Sequence, residues 1–189
     1  MPLEYFFQRE RALLGARYDA LYTAPSGQPV RGITANTLRC TPEWLAQRAG
    51  LLLAPSPFCR EGFVVQGQEP FRPGRHPYHH AGAFYVQEPS ASAPAPLLCA
   101  APGERVLDLC AAPGGKSSQL AAALQGQGLL VCNEFRPARA QVLRANLERM
   151  GVRNAVVLSE APRRIAEVLP GFFDRVLVDA PCSGEGMFR

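Results

Sequence analysis

One junction constrains the fold of this 189-residue chain more than any other feature. An apolar run, Arg105-Val106-Leu107, ends in Asp108. The next eight residues, 109–116, read Leu-Cys-Ala-Ala-Pro-Gly-Gly-Lys. Glycines let the backbone approach a ligand closely, and the start of the next helix offers free N–H groups. Lys116 is the only lysine among 20 basic residues. The junction predicts a strand, a nucleotide-cofactor loop and a helix; an ordinary strand-to-helix turn is the alternative.

The spacing disfavours two other glycine-rich loops. A P-loop requires a glycine at the position of Cys110, although Gly115-Lys116-Ser117 fits its end. The dinucleotide fingerprint needs three spaced glycines, whereas this loop has only the adjacent pair Gly114 and Gly115. A NAD(P)-dependent oxidoreductase is therefore a weaker alternative.

Helical and strand-like segments alternate after the loop. The predicted order is helix 117–125, strand 129–132, helix 136–150 with Gly151 as its C-cap, strand 156–158 and strand 175–179. Strands that alternate with helices predict a parallel, doubly wound sheet.

Candidate ligand-binding residues follow several of these strands. Ligands of open α/β sheets bind at the carboxyl ends of the strands, which places Asp108, Glu134, Asp179 and Cys182 along one rim. Glu134 ends the second strand, about 20 residues past the loop, where a carboxylate accepts hydrogen bonds from ribose hydroxyls. A solvated strand-end carboxylate is the alternative for Glu134. We expect Asp108 to order the loop rather than to touch the ligand.

The motifs at residues 108–116 and 179–184 together resemble the Sun-type family of S-adenosylmethionine-dependent RNA 5-methylcytosine methyltransferases. Residues 72–79, 87–91 and 184–189 resemble its ribosomal RsmF/YebU-type branch, which methylates 16S rRNA. The resemblance implies an α/β fold: a Rossmann-like class I methyltransferase sheet, incomplete after the fourth strand, with a small N-terminal α+β RNA-binding region.

The resemblance also implies a division of the chain and a set of contacts. The implied parts are an N-terminal RNA-binding region (1–75), a linker and packing segment (76–100) and a truncated S-adenosylmethionine-binding domain (101–189). The implied contacts to S-adenosylmethionine are Cys110, Ala111, Ala112, Pro113, Gly114, Gly115, Lys116, Glu134 and Asp179.

The chemistry implied for this family is covalent catalysis. A thiolate adds to carbon 6 of cytosine, carbon 5 then attacks the sulfonium methyl group, and a base removes the carbon 5 proton. In the family the nucleophile belongs to a Thr-Cys motif on the following strand, while the cysteine matching Cys182 helps to release the product. Asp179 would lie near the methyl group and the cytosine. This sequence contains no Thr-Cys pair, so we expect the chain alone not to methylate. Because the implied sheet stops after its fourth strand and leaves an uncovered edge, we also expect the chain alone to fold poorly. A non-catalytic RNA-binding protein is the alternative.

Two positions depart from the family pattern. The family places an aspartate for the adenine amino group where this chain has Ala161, and Glu160 is a candidate substitute. Near the N-terminus the family tends to read Arg-Val-Asn-Thr where this chain has Thr34-Ala35-Asn36-Thr37. Arg31 is a candidate for the contact to RNA, but the sequence leaves open whether it corresponds to the arginine of the family.

Composition agrees with this assignment. The net charge of +4 and pI near 8.9 suit a nucleic-acid partner, and the resemblance implies that this partner is 16S rRNA or the small ribosomal subunit. Six scattered cysteines, with neither a signal peptide nor a transmembrane run, predict a cytoplasmic protein without membrane contact. We expect a monomer, and no metal at His76, His79 and His80.

The N-terminal region gives coarser signals. The sequence predicts a helix over 5–22, with Phe6, Leu13, Leu14 and Leu21 on its apolar side. Thr41 is the expected N-cap of a helix that continues toward Leu53, and strands are expected at 63–65 and 84–86.

Overall fold

The computed structural model describes residues 3–22, 30–67 and 72–181 of the chain. The chain divides into two compact units, of which the larger is Val30–Ala180. The smaller unit contains the described residues 3–22 and Pro181. Cys182 lies outside the described residues, so its predicted role stays a prediction.

In the smaller unit, the prediction of a single helix over residues 5–22 is wrong. Residues 3–22 form two helices, α1 (Leu3–Leu14) and α2 (Arg17–Tyr22). Between them Gly15 has a φ of +53°, a left-handed conformation that glycine adopts without strain and that ends α1. Leu13 and Leu21, expected on the apolar side, are exposed.

The first part of the larger unit is an antiparallel sheet with strand order β2-β3-β1-β4. Its strands are β1 (Arg31–Ala35), β2 (Leu53–Pro55), β3 (Gly62–Val65) and β4 (Phe84–Val86). The expected strands β3 and β4 are confirmed. β4 belongs to this sheet although it lies in the segment expected to be a linker. Helix α3 (Pro42–Arg48) covers the sheet, and Leu45 packs with Ile33 and Phe84 in the core.

Helix α3 begins as predicted and ends early. Thr41 Oγ1 accepts the N–H of Trp44 at 3.2 Å, which confirms the N-cap. The expected continuation to Leu53 is wrong because Gly50, with a φ of +63°, turns the chain, and Leu53 pairs with Val65 in the sheet.

The second part is a parallel sheet with strand order β7-β6-β5-β8, which confirms the doubly wound prediction. Its strands are β5 (Arg105–Asp108), β6 (Leu129–Asn133), β7 (Ala155–Leu158) and β8 (Arg175–Leu177). The helices that follow are α6 (Gly115–Leu124), α7 (Pro137–Met150) and α8 (Pro162–Val168). Gly151 caps α7 with a φ of +78°, as predicted.

Strand β8 is shorter than the sequence suggested. Its neighbour β5 ends at Asp108, which lies opposite Leu177, and the N–H of Leu109 closes the ladder on the Leu177 carbonyl at 2.9 Å. Asp179 therefore follows the strand instead of ending it.

Short helices lie in the connections between strands. A 3₁₀ helix (Pro73–Arg75) and α4 (Pro77–His80) lie between β3 and β4, whereas a second 3₁₀ helix (Pro89–Ser92) and α5 (Pro94–Leu97) join the two sheets. Asn36 donates hydrogen bonds from Nδ2 to the carbonyls of Gly82 and Met150, both at 2.8 Å, which ties the antiparallel sheet to the end of α7. Among the described residues, no helix is both long and apolar enough to cross a membrane.

Candidate functional site

A cavity of about 260 Å³ lies where β5 gives way to the glycine-rich loop. The larger unit lines it from two directions. The loop side contributes Asp108, Cys110, Ala111, Ala112, Pro113, Gly115, Lys116 and Asp179, and the antiparallel-sheet side contributes Tyr85, Val86, Gln87 and Ala91. Most of the predicted cofactor contacts therefore share one cavity. Gly114 and Glu134 do not line it.

Asp108 is buried beneath the loop, with only 1% of its surface exposed. Its Oδ2 accepts a hydrogen bond from Ser117 Oγ at 2.7 Å, which ties the end of β5 to the first turn of α6. Its Oδ1 has no hydrogen-bond partner within the described residues. Burial raises the pKa of this carboxyl to about 6, against the opposing effects of the Ser117 hydroxyl and the Lys116 ammonium. Asp108 thus orders the loop.

Lys116 joins the loop to the segment after β8. Its Nζ lies 2.7 Å from Asp179 Oδ2. The lysine side chain is half-buried while the aspartate is exposed, so the ammonium holds a solvent-accessible carboxylate at the cavity.

Glu134 is buried just past the end of β6, with 7% of its side chain exposed. Its Oε1 accepts the N–H of Arg136 at 3.0 Å, and its Oε2 lies 3.2 Å from Arg139 Nη1. Arg139 Nη2 also donates to the carbonyl of Ala112 at 2.9 Å. A carboxylate has about four acceptor positions, so Glu134 keeps acceptor capacity for hydroxyl groups while Arg139 links it to the loop.

The residues that support the loop were not predicted from the sequence. The carbonyl of Pro113 accepts hydrogen bonds from Tyr85 OH at 3.1 Å and from Asn146 Nδ2 at 2.8 Å. A Cβ at Gly115 would overlap Gln87 Oε1, so this glycine makes room for a side chain of the same chain. The only sequence signal was the resemblance of residues 87–91, because Tyr85 and Asn146 act through contacts distant in sequence.

Asn133 fixes the end of β7 near the position expected to meet adenine. It is almost fully buried, and its Nδ2 donates to the carbonyls of Leu109 and Glu160 at 3.1 and 3.0 Å. Its Oδ1 accepts the N–H of Glu160 at 3.0 Å. Ala161 is the N-cap residue of α8 and makes no side-chain cap hydrogen bond, and the adenine contact by Glu160 stays a prediction.

The described cysteines near the site are not activated. Burial, together with the nearby carboxylates of Asp108 and Glu134, raises the pKa of Cys110. Burial raises the pKa of Cys132 to about 12. Because the thiolate is the nucleophilic form, neither cysteine is suited to attack a substrate at neutral pH.

Two of the three histidines donate hydrogen bonds to backbone carbonyls. His76 accepts the N–H of Tyr78 at Nδ1, so its Nε2 carries the proton and donates to the carbonyl of Ala49 at 2.8 Å. His80 Nε2 donates to the Gly74 carbonyl at 2.7 Å. In the part of the chain that the structure describes, no group of three His, Cys, Asp or Glu residues could hold a metal ion.

Comparison with protein families gives matches along nearly the whole chain. Residues 95–189 match the model of the 16S rRNA methyltransferase RsmB/F family, and residues 2–89 match the N-terminal domain of 16S rRNA methyltransferase RsmF.

Individual relatives agree with these matches. The ribosomal RNA small subunit methyltransferase F of Vibrio vulnificus is 44% identical over 169 residues, or 86% of this chain and 36% of the relative. The protein of the same name from Vibrio campbellii is 40% identical over 98% of this chain and 41% of the relative. This chain therefore spans about two fifths of the length of these relatives.

A solved structure extends the similarity to the fold. The crystal structure of a methyltransferase homolog protein from Pyrococcus horikoshii superposes with a TM-score of 0.86 at 33% identity, covering 97% of this chain and 60% of that one. On these matches, the chain belongs to the RsmB/F family of 16S rRNA methyltransferases.

Proposed function

We propose that this chain binds S-adenosylmethionine as part of an enzyme that methylates carbon 5 of cytosine in 16S rRNA. The observation that carries the proposal is the buried Glu134 carboxylate, which Arg139 connects to the glycine-rich loop. An acidic residue after the second strand suits the ribose of a nucleoside cofactor, and family membership favours a methyl donor over NAD(P).

The residues of the rim fit the parts of this cofactor. The loop Cys110–Lys116 and the start of α6, where no described side chain caps the helix, suit the methionine part. Glu134 suits the ribose. The exposed Asp179 carboxylate suits a ligand that carries a sulfonium and an ammonium group, while Asp108 orders the loop through Ser117.

In the proposed reaction the bound cofactor supplies an electrophilic methyl group. Lys116 holds the Asp179 carboxylate at the cavity, where Asp179 would meet the methyl group and the target cytosine. Cys182 would assist release of the product, as the resemblance implies. The nucleophilic cysteine belongs to a Thr-Cys motif that this sequence does not contain.

The proposal also includes the partner, the oligomeric state and the cellular location of the protein. We propose 16S rRNA, free or within the small ribosomal subunit, as the partner of a monomeric, cytoplasmic protein.

Calorimetric titration with S-adenosylmethionine tests the cofactor assignment. We expect saturable binding by the chain and a loss of at least about tenfold in affinity for Glu134→Ala, since the ribose hydroxyls lose a charged acceptor. Glu148→Ala is the matched control, because Glu148 is exposed on α7 and pairs only with Arg144 among the described residues.

The same sample separates the alternatives. Binding of NAD⁺ in place of S-adenosylmethionine would support an oxidoreductase and contradict the proposal. Binding of RNA by a folded chain that binds neither cofactor would support a non-catalytic RNA-binding protein.

A further inference from the structure

A second cavity lies on the antiparallel-sheet part of the larger unit, apart from the residues assigned to the cofactor. It has a volume of about 540 Å³, within the range of small-molecule pockets. We call it the Trp44 cavity, and its lining residues are Arg39, Cys40, Thr41, Trp44, Tyr78, Ala81 and Ala83. It shares no residue with the cavity at the glycine-rich loop.

Aromatic rings form its main wall. Trp44, the only tryptophan of the chain, is 40% exposed. Its ring lies 5.2 Å from that of Tyr78, at an angle of 43°. His76 packs behind Tyr78, and Phe84 packs behind His76 in the buried core. The two outer rings are therefore backed by a fixed aromatic series and present a prearranged apolar surface.

The same cavity carries positive charge without an acidic partner. Arg39 is exposed, its guanidinium lies against the Gly151 cap of α7, and within the described residues it has no ion pair. None of the described lining residues is acidic. Thr41 Oγ1 already accepts the Trp44 N–H, so its hydroxyl remains a donor.

The aromatic wall and the positive charge of Arg39 together favour one kind of ligand for the Trp44 cavity. An apolar partner would bury the Arg39 charge without compensation, which is costly. A nucleotide supplies both a flat base for the aromatic wall and a phosphate for the guanidinium. Stacking of splayed bases on aromatic and arginine side chains is the usual way in which proteins read single-stranded RNA.

We propose that the Trp44 cavity binds an unstacked nucleobase of single-stranded RNA, with the base on Trp44 and the adjacent phosphate near Arg39. The cavity would hold substrate RNA at a distance from the reacting cytosine. Because it names a contact for the RNA, this inference rests on the proposed function.

The single tryptophan makes the site directly observable. We would titrate the chain with single-stranded octacytidylate and follow tryptophan fluorescence, with anisotropy of a labelled oligonucleotide as a second signal. Base stacking on Trp44 should quench the fluorescence in step with binding. An RNA duplex of the same length should bind with little quenching, because its bases are already stacked.

Variants separate stacking from charge. Trp44→Leu should weaken binding of octacytidylate about tenfold or more, because it removes the ring on which a base stacks, whereas Trp44→Phe should stay close to wild type because it keeps an aromatic ring. Arg39→Ala should weaken binding and lower the slope of log affinity against log salt concentration by about one. Arg144→Ala, an exposed arginine paired with Glu148, is the control and should change neither quantity appreciably.

Several results would overturn the inference. They are the absence of octacytidylate binding by the folded chain, binding without quenching, and equal quenching by the duplex. Thermal melting identifies any variant that fails to fold. If Trp44→Leu fails to fold, the fluorescence quenching of wild type and the salt dependence of Arg39→Ala test the inference without it. S-adenosylmethionine titration of Trp44→Leu keeps the two proposals distinct, because loss of the RNA contact leaves cofactor affinity unchanged.

Discussion

At the scale of single residues, Asp108 couples the fold to pH. Burial raises the pKa of its carboxyl to about 6, above the value near 3.9 of an exposed aspartate. The folded state therefore holds this proton more tightly, and the associated stability is full below about pH 4 and is lost as the pH rises through about 6.

Asp108→Asn should remove this dependence. Because an amide carries no charge to bury, we expect the variant to gain up to about 3 kcal/mol relative to wild type between pH 4 and pH 7. Urea unfolding across that range measures the difference. Asp174→Asn is the control, because the hydrogen bonds from Arg105 lower the pKa of Asp174 to about 2. The contribution of Asp174 to stability therefore varies with pH only below about pH 4, outside the range compared. Parallel profiles for wild type and Asp108→Asn would contradict the explanation.

Arg139 is the residue that connects the two halves of the proposed cofactor site. Its guanidinium reaches both Glu134 and the Ala112 carbonyl. Arg139→Ala should lower affinity for S-adenosylmethionine by roughly tenfold, since charged hydrogen bonds contribute about 1.5–3 kcal/mol. Arg139→Lys, which lacks the planar fork, should recover only part of that loss. Calorimetry on both variants tests this, and unchanged affinity in Arg139→Ala would remove Arg139 from the site.

At the scale of elements, the parallel sheet was predictable and the antiparallel sheet was only partly so. Strands β5 to β7 are apolar runs set apart by clear helix signals, so local pattern defined them. Strands β1 and β2 depend on pairing with β3 and β4 across the chain, which local pattern does not specify. The loop and Glu134 could be predicted from motif spacing. Arg139, Tyr85 and Asn146 could not, because they act on loop carbonyls through tertiary contacts.

Gly82 fixes how β4 meets the end of α7. Its φ is +69°, and a Cβ there would overlap the carbonyl oxygen of Arg149. Gly82→Ala should therefore destabilise the chain by at least about 2 kcal/mol, from backbone strain and overlap together. Gly74→Ala provides the matched control, since nothing lies within 4 Å of its Cβ position. Thermal or urea unfolding compares the two, and equal stability would show that α7 can shift to accept the methyl group.

At the scale of the whole molecule, both sheets build the candidate site. The antiparallel sheet and the turn after it supply Tyr85 and Gln87, and the parallel sheet supplies the loop and the carboxylates. In the proposed function the N-terminal sheet therefore does more than contact RNA, because it also forms part of the wall of the cavity at the glycine-rich loop. A ligand that binds only the folded state should also stabilise the larger unit, by about 2.7 kcal/mol at a concentration of 100 Kd.

The most direct test of the cofactor assignment is a crystal structure of this chain with S-adenosylhomocysteine, the demethylated form of the proposed cofactor. We predict ribose hydroxyls within hydrogen-bond distance of the Glu134 carboxylate, and the amino-acid end of the ligand against the loop Cys110–Lys116. A ligand bound elsewhere, or a ribose that makes no contact with Glu134, would contradict the assignment.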